Sequence, residues 1–300
     1  MASHVQQNAI AAAVVGVASL PVALALWCGV LGFELIAQQT GADASLESFW
    51  QLPTGGIKSQ ALVVTPSVAT GRVWLVEFAA PAPPVRHGAA TIDLCPKSLN
   101  LAPRDLPARY EEMLTRGLSF RSPWVKYPAG DFDVHEVQLL AHDGLNLGLL
   151  EMIGLPFAFN ERGFAGITNF VAVVDDIEAE TNFYREVFGL ELIGEHRLRG
   201  KSMEKLIGLP SGAVVAMNIF GAKENPYGQM QLVAYQGAQG TDRYSLARPP
   251  ACGQLHTVWL TKRLEAFAGD ARIIHTLLGT VKAIRLQTPG GMMTDIFSLK

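Results

Sequence analysis

"AIAAAVVGVASLPVALALWCGVLGF", residues 9–33, contains no charged side chain, and by length alone it could span a hydrocarbon layer of about 30 Å. Leu20-Pro21 divides it into a Val/Ala-rich piece that suits a strand and a piece, Val22 to Leu31, that suits a helix. The leader MASHVQQN holds no Lys or Arg, so the basic flank expected of a signal peptide or an oriented anchor is missing. The stretch also has a copy. "VLGFELI" at 30–36 recurs as "VFGLELI" at 187–193, 157 residues on. "LPTGG" at 52–56 recurs as "LPSGA" at 209–213, and "GRVWLVEF" at 71–78 as "GQMQLVAY" at 228–235, in the same register. A fixed period without gaps marks a duplicated unit. The copy of 9–33 is "GITNFVAVVDDIEAETNFYREVFGL", residues 166–190, with Asp175, Asp176, Glu178, Glu180, Arg185 and Glu186. That copy reads as a strand, a turn and an amphipathic helix. The N-terminal run is therefore expected to be the same strand and helix with its polar face lost, and no membrane span is expected. So apolar a helix either covers a second copy in a homo-oligomer or packs within the chain.

The chain of 300 residues is 49% hydrophobic and 17% charged, with a net charge near −3. Such a length is enough for one large domain or two ordinary ones, with ample core to bury. No basic stripe points to nucleic acid. Cys28, Cys95 and Cys252 are odd in number, far apart and without CxxC spacing, which fits a reducing cytoplasm. A finer repeat lies within each half. "TIDLCPKSLNLAPRDLPARYEEMLTRGLSF" at 91–120 and "HTVWLTKRLEAFAGDARIIHTLLGTV" at 256–281 read as strand, helix, Gly stop, strand. Alternating segments with Gly turns follow each, at 134–154 and 282–299. Four modules result, at 10–80, 88–153, 166–236 and 253–299, each a strand, a helix and a three-strand meander.

On "FVAVVDDIEAETNFYREVFGLELIGEH" at 170–196 and the closing "TPGGMMTDIFSL" at 288–299, the chain resembles the vicinal-oxygen-chelate (VOC) superfamily of glyoxalase I, bleomycin-resistance proteins and type I extradiol dioxygenases. The resemblance implies an α+β fold of four βαβββ modules, paired into two open-barrel domains. An N-terminal domain, 1–155, would take the first two modules and a C-terminal domain, 160–300, the last two. It also implies that first and last strands present metal ligands to a concave face, where a divalent metal chelates two neighbouring substrate oxygens. Carried over position by position, the C-terminal set is Asn169, Gln231, His256 and Asp295, and the N-terminal set is Ala12, Ala90, Trp74 and Gly148. The reaction centre is therefore expected in residues 160–300, with the N-terminal half as a structural copy.

An extradiol dioxygenase of the family would carry His, His and Glu where this chain has Asn169, His256 and Asp295. Arg285 stands where that family has Tyr and suits a substrate carboxylate or enolate, or else is a solvated strand arginine. Fe, Mn or Zn could use the quartet weakly. A metal-free variant would use Asp295 and His256 as a proton-transfer pair, with Asn169 and Gln231 holding substrate oxygens. The expected function is an enzyme acting on a small oxygenated metabolite, an isomerase, a lyase or an extradiol-type dioxygenase. The alternative is a non-catalytic small-molecule binder of the bleomycin-resistance type. Tyr235, Phe220, Met217, Met292 and Met293 are expected either to line an apolar pocket or to be core. Glu77 and Glu151 fall outside the ligand register. His135 and Glu136, adjacent in a strand, must face opposite sides.

Overall fold

A computed structural model describes residues 3–129 and 132–299. Module 1 comprises β1 (Ile10–Val17), α1 (Leu20–Leu24, continued by a wider turn to Val30), β2 (Glu34–Thr40), α2 (Ala44–Trp50), β3 (Ile57–Val64) and β4 (Arg72–Phe78). Module 2 comprises β5 (Pro96–Pro103), α3 (Leu106–Thr115), β6 (Ser119–Phe120), β7 (Val125–Ala129), β8 (Phe132–Leu140) and β9 (Asn146–Met152). Module 3 comprises β10 (Phe164–Val173), α4 (Ile177–Glu186), β11 (Glu191–Leu198), α5 (Lys201–Met203), β12 (Val214–Ala222) and β13 (Asn225–Gln236). Module 4 comprises β14 (Gly253–Leu260), β15 (Arg272–Thr276), β16 (Gly279–Gln287) and β17 (Met293–Leu299). The fold is α+β, as the resemblance implies. Module 4 departs from the expected pattern, because between β14 and β15 its helix shrinks to a single 3-10 turn, Leu264–Ala266. Only 11 residues separate those strands, Gly269 and Asp270 among them.

The opening stretch folds as its copy predicts. β1 is buried along its whole length, so small Ala and Val side chains serve on both faces. Pro21 lies in the first turn of α1, where its missing N–H leaves no bond unmade. Ala23, Leu26 and Trp27 face the core, while Val22 is 60% exposed. α4, the charged copy, starts at Asp176, whose Oδ1 accepts from the amides of Glu178 and Ala179 at 3.0 and 2.9 Å. Among the described residues no helix is long and apolar enough to cross a membrane.

The sheets correct the expected pairing of modules. One sheet runs β15-β16-β17-β14-β1-β4-β3-β2 and joins module 1 to module 4. The other runs β11-β12-β13-β10-β5-β9-β8-β6 and joins module 3 to module 2. Antiparallel pairing of β1 with β14 closes the first, and of β10 with β5 the second. Each sheet thus takes one module from each half of the chain, and neither 1–155 nor 160–300 closes a sheet by itself. One continuous core, including Trp27, Leu99, Phe170, Tyr184, Phe188 and Trp259, joins the outer faces of both sheets. The two concave faces, here the first cup (modules 1 and 4) and the second cup (modules 2 and 3), turn away from that core.

Candidate functional site

Cross-pairing separates the quartet read from the sequence. His256 and Asp295 lie in the first cup, and Asn169 and Gln231 in the second. The register also corrects one position. Val14 pairs with His256, and its copy Val171 pairs with Ser98. Ser98, rather than Ala90, is therefore the module 2 counterpart of His256. Asp295 pairs with Val258 as Gly148 pairs with Asn100, so Gly148 is the counterpart of Asp295. The four ligand positions are Ala12, Trp74, His256 and Asp295 in the first cup, and Asn169, Gln231, Ser98 and Gly148 in the second.

The first cup is filled. α2 carries Phe49 and Trp50 into it, and Trp50 lies 5.7 Å from Trp74 and 5.4 Å from His256, ring centre to ring centre. Asp295 and His256 are fully buried. Asp295 Oδ1 accepts from Arg285 Nε at 2.6 Å, and Oδ2 accepts from Arg285 Nη2 at 2.9 Å and Trp50 Nε1 at 2.9 Å. His256 Nε2 lies 3.0 Å from the same Oδ2. The Arg285 guanidinium stacks over Phe49 and Trp50 and is 17% exposed. Burial works to raise the Asp295 pKa, but Arg285, His256 and their hydrogen bonds prevail and hold it far below the carboxylate range. Burial pushes His256 down, toward the neutral ring. Both oxygens of Asp295 and Nε2 of His256 are thus engaged within the protein, and among the polar atoms of the pair only His256 Nδ1 is left without a partner among the described residues. Arg285, expected as a substrate group, is the structural partner of Asp295.

The second cup is open. Its cavity of about 420 Å³ has apolar walls that include Val171, Ile193, Met203, Ile207, Met217 and Val233. A neighbouring recess of about 460 Å³ shares Asn169, Gly194, His196 and Gln229 with it and extends to Phe157. Two substitutions between the copies explain the contrast. The copy of Trp50 is Ile207, and the copy of Trp74 is Gln231. Losing two indoles from one concave face leaves room for a ligand.

Polar side chains cluster on the module 2 side of this cavity. Alternation along β8 turns Val134, Glu136 and Gln138 inward, while His135 turns away to bind Glu151. Glu136 accepts from the Tyr127 hydroxyl, and at 2.7 Å from Gln138 Nε2. Burial pushes the Glu136 carboxyl up, against the opposing pull of those bonds and of Lys97. Lys97 is 8% exposed, and its Nζ donates to the Tyr235 hydroxyl. Burial, then the charges of Arg86 and Arg121, push Lys97 well below the usual lysine range. Burial pushes the Tyr235 phenol up. Asn169 Nδ2 donates to Gln229 Oε1 at 3.2 Å, and Gln231 Nε2 lies 3.2 Å from Met217 Sδ. A buried acid, a buried amine, two phenols and several amides therefore share one cavity, an arrangement suited to proton transfer.

Neither cup fits a metal. The first has one carboxylate, engaged by Arg285 and Trp50, and one imidazole with a single free nitrogen, too few donors with Ala12 and Trp74 at the remaining positions. The second has amides and a hydroxyl at its ligand positions, poor donors for Fe or Zn. Among the described residues no group of three or more His, Cys, Asp or Glu side chains could hold one.

Sequence reasoning found Asn169 and Gln231 of this cavity; of the residues it read as either pocket or core, Met217 and Tyr235 line the cavity, whereas Phe220 and Met292 are core. It missed Lys97, Tyr127, Glu136 and Gln138, all from module 2. The available signal was a lone lysine inside the strand "PKSLNLAP" and the alternation "VHEVQLL", whose Glu/Gln face passes for a solvent face.

A family model described as bleomycin resistance protein-like N-terminal matches residues 167–196. A search of curated protein sequences gave no match. Among solved structures the chain is similar to glyoxalase I from Zea mays, with a TM-score of 0.66 and 14% identity over 97% of this chain and 92% of that one. It is also similar to a nominal dioxygenase from Bacillus subtilis, with a TM-score of 0.64 and 12% identity over 98% and 86% of the two chains. At such identities the likeness is one of fold.

Proposed function

For this chain, a member by fold of the VOC superfamily, we propose that the second cup binds a small, largely apolar, oxygenated molecule and acts on it by metal-independent proton transfer. The observation that carries this reading is the contrast between a first cup closed by Trp50 and Trp74 and a second cup open over Glu136. A neutral carboxylic acid beside an apolar cavity can give a proton to a carbonyl oxygen, and its conjugate base can take one from the adjacent carbon. That is isomerase or lyase chemistry through an enolate, with Asn169, Gln231 and Gln138 as donors for the oxygens. A second reading, binding without turnover, is favoured by the bleomycin-resistance match, which spans the cup residues Asn169 and Val171.

The test is a thermal-shift panel of small aromatic and aliphatic carbonyl compounds and acids. Met217, half-buried on the wall, is the residue to enlarge. Met217→Trp is expected to abolish every ligand-induced shift while leaving the unliganded protein folded. Shifts that survive in Met217→Trp would move the site elsewhere. For any compound turned over, Glu136→Gln is expected to lower kcat at least about 100-fold, the usual contribution of a general acid or base, with affinity retained. Unchanged kcat would leave binding alone. Elemental analysis of protein purified without chelator is expected to find no stoichiometric metal, and chelator is expected to leave the melting temperature unchanged.

A further inference from the structure

Lys97 has no role in the proton transfer just described, yet it is the most chemically unusual group in the second cup. It projects from "CPKSLN" at the start of β5, between the buried Cys95 and Ser98. No carboxylate lies within ion-pair distance of its Nζ among the described residues. Two guanidiniums, Arg86 and Arg121, border a small recess behind it that Lys97 also lines. Its hydrogen-bond partner is a phenol, the Tyr235 hydroxyl. A lysine buried for structure alone is expected to meet an acid. Here burial and then the neighbouring like charges favour the uncharged amine and outweigh the opposing pull of Glu136 and Cys95, and burial and like charge are the two means by which amine nucleophiles are activated.

We propose that Lys97 is a covalent carbonyl-binding site, forming an imine with an aldehyde or ketone held in the second cup. The inference rests on the second cup being the ligand site, and it narrows the ligand to carbonyl compounds. One N–H donated to Tyr235 fixes the amine and leaves its lone pair for the carbonyl carbon. The C–N bond forms as the carbonyl π bond breaks. A proton passes from nitrogen to the oxygen, giving a carbinolamine, and loss of water leaves the C=N bond. The sum is amine plus carbonyl to imine plus water, with no oxidant or reductant. Tyr235 is within reach to relay the proton, and Glu136 is the acid in the same cavity.

The experiment uses the full chain at pH 7 with benzaldehyde as probe and cyanoborohydride to reduce any imine to a stable benzylamine, located by peptide mass mapping. A surface lysine with a pKa near 10.4 is uncharged in only about one part in 2,500 at this pH. Lys97 is therefore expected to be labelled at least about tenfold faster than any surface lysine. Lys97→Met is expected to remove the fast label and reduce the thermal shift given by benzaldehyde to its non-covalent part, and Met217→Trp to remove both. A thermal shift that Met217→Trp removes, with Lys97 unlabelled, would overturn the imine and leave the cup as a ligand site. No shift and no label at Lys97 across a series of aromatic and aliphatic aldehydes would overturn the imine together with the carbonyl reading of the cup.

Discussion

Asp295→Ala is expected to cost about 3–5 kcal/mol of stability, the range for removing one partner from a buried ion pair. Asp295 is fully buried, and its two oxygens accept from Arg285 and Trp50 and lie against His256 Nε2 in the first cup. Removing it strands a guanidinium that is 17% exposed and an indole N–H among aromatic rings. Urea denaturation measures the loss, and a cost below about 1 kcal/mol would reduce the network to the worth of a surface pair. Replacing both charges, Asp295→Leu with Arg285→Met, is expected to recover most of the loss, since apolar groups of similar volume often substitute for a buried pair. Acid should act in the same direction. The folded pKa of Asp295 is depressed, so its contribution is intact above the unfolded value of about 3.9 and is lost as pH falls through the lower folded value. His256 is also depressed. Its neutral form is the buried one, so stability falls with pH below about 6.5 until the folded value is passed. In Asp295→Ala the first of these dependences disappears. Ligand shifts in the second cup should survive, at a temperature where the variant is folded.

The 157-residue period is why so much of the fold was legible and why the site was not. A gapless repeat identifies equivalent residues, so "VVDDIEAETNFYREVF" could be read back onto the uncharged "GVASLPVALALWCGVL" and the helix recognised there. The period carries no information on which module closes against which. The connectors at 81–88, 153–166 and 236–253 are long enough to permit either pairing. Only the hydrogen bonds of β1 to β14 and β5 to β10 choose. The mistaken pairing put Asn169 and Gln231 beside His256 and Asp295. It also made the N-terminal half look inert, although module 2 supplies Lys97, Tyr127, Glu136 and Gln138. A second slip came from the prolines. Pro96 and Pro103 bound β5 and weaken its strand signal, so the register drifted eight residues upstream, to Ala90. Burial of Asp295 was legible because a carboxylate within an apolar strand must be paired. That its partners were structural depended on two tryptophans from module 1, which no local pattern ties to β17.

Gly228→Ala tests the cross-paired architecture itself and is expected to cost at least about 3 kcal/mol, at the upper end for a single substitution. Gly228 and its copy Gly71 face each other where the two sheets meet. Gly71 N donates to Ile10 O at 2.9 Å. A Cβ on Gly228 would stand 2.6 Å from Ile10 O and 3.1 Å from Gly71 N, and a Cβ on Gly71 would stand 2.7 Å from Ile167 O and 3.3 Å from Gly228 N. Ile10 and Ile167 are themselves copies, so each glycine meets the other module's carbonyl by the same geometry. Both also have positive φ, +70° and +65°, where a Cβ adds strain of about 1–2 kcal/mol. Backbone carbonyls in adjoining strands cannot swing aside as a side chain would, so the seam must open. The repeat supplies a matched control in Gly55 and Gly212, with φ of +78° and +84° and nothing within 4 Å of an added Cβ. Alanine there meets the conformational strain alone, about 1–2 kcal/mol. The difference in urea midpoint between Gly228→Ala and Gly212→Ala thus measures the seam apart from the backbone strain that both share. If the two variants unfold at the same midpoint, the sheets do not meet at this pair, and the separation of His256 and Asp295 from the open cup loses its support.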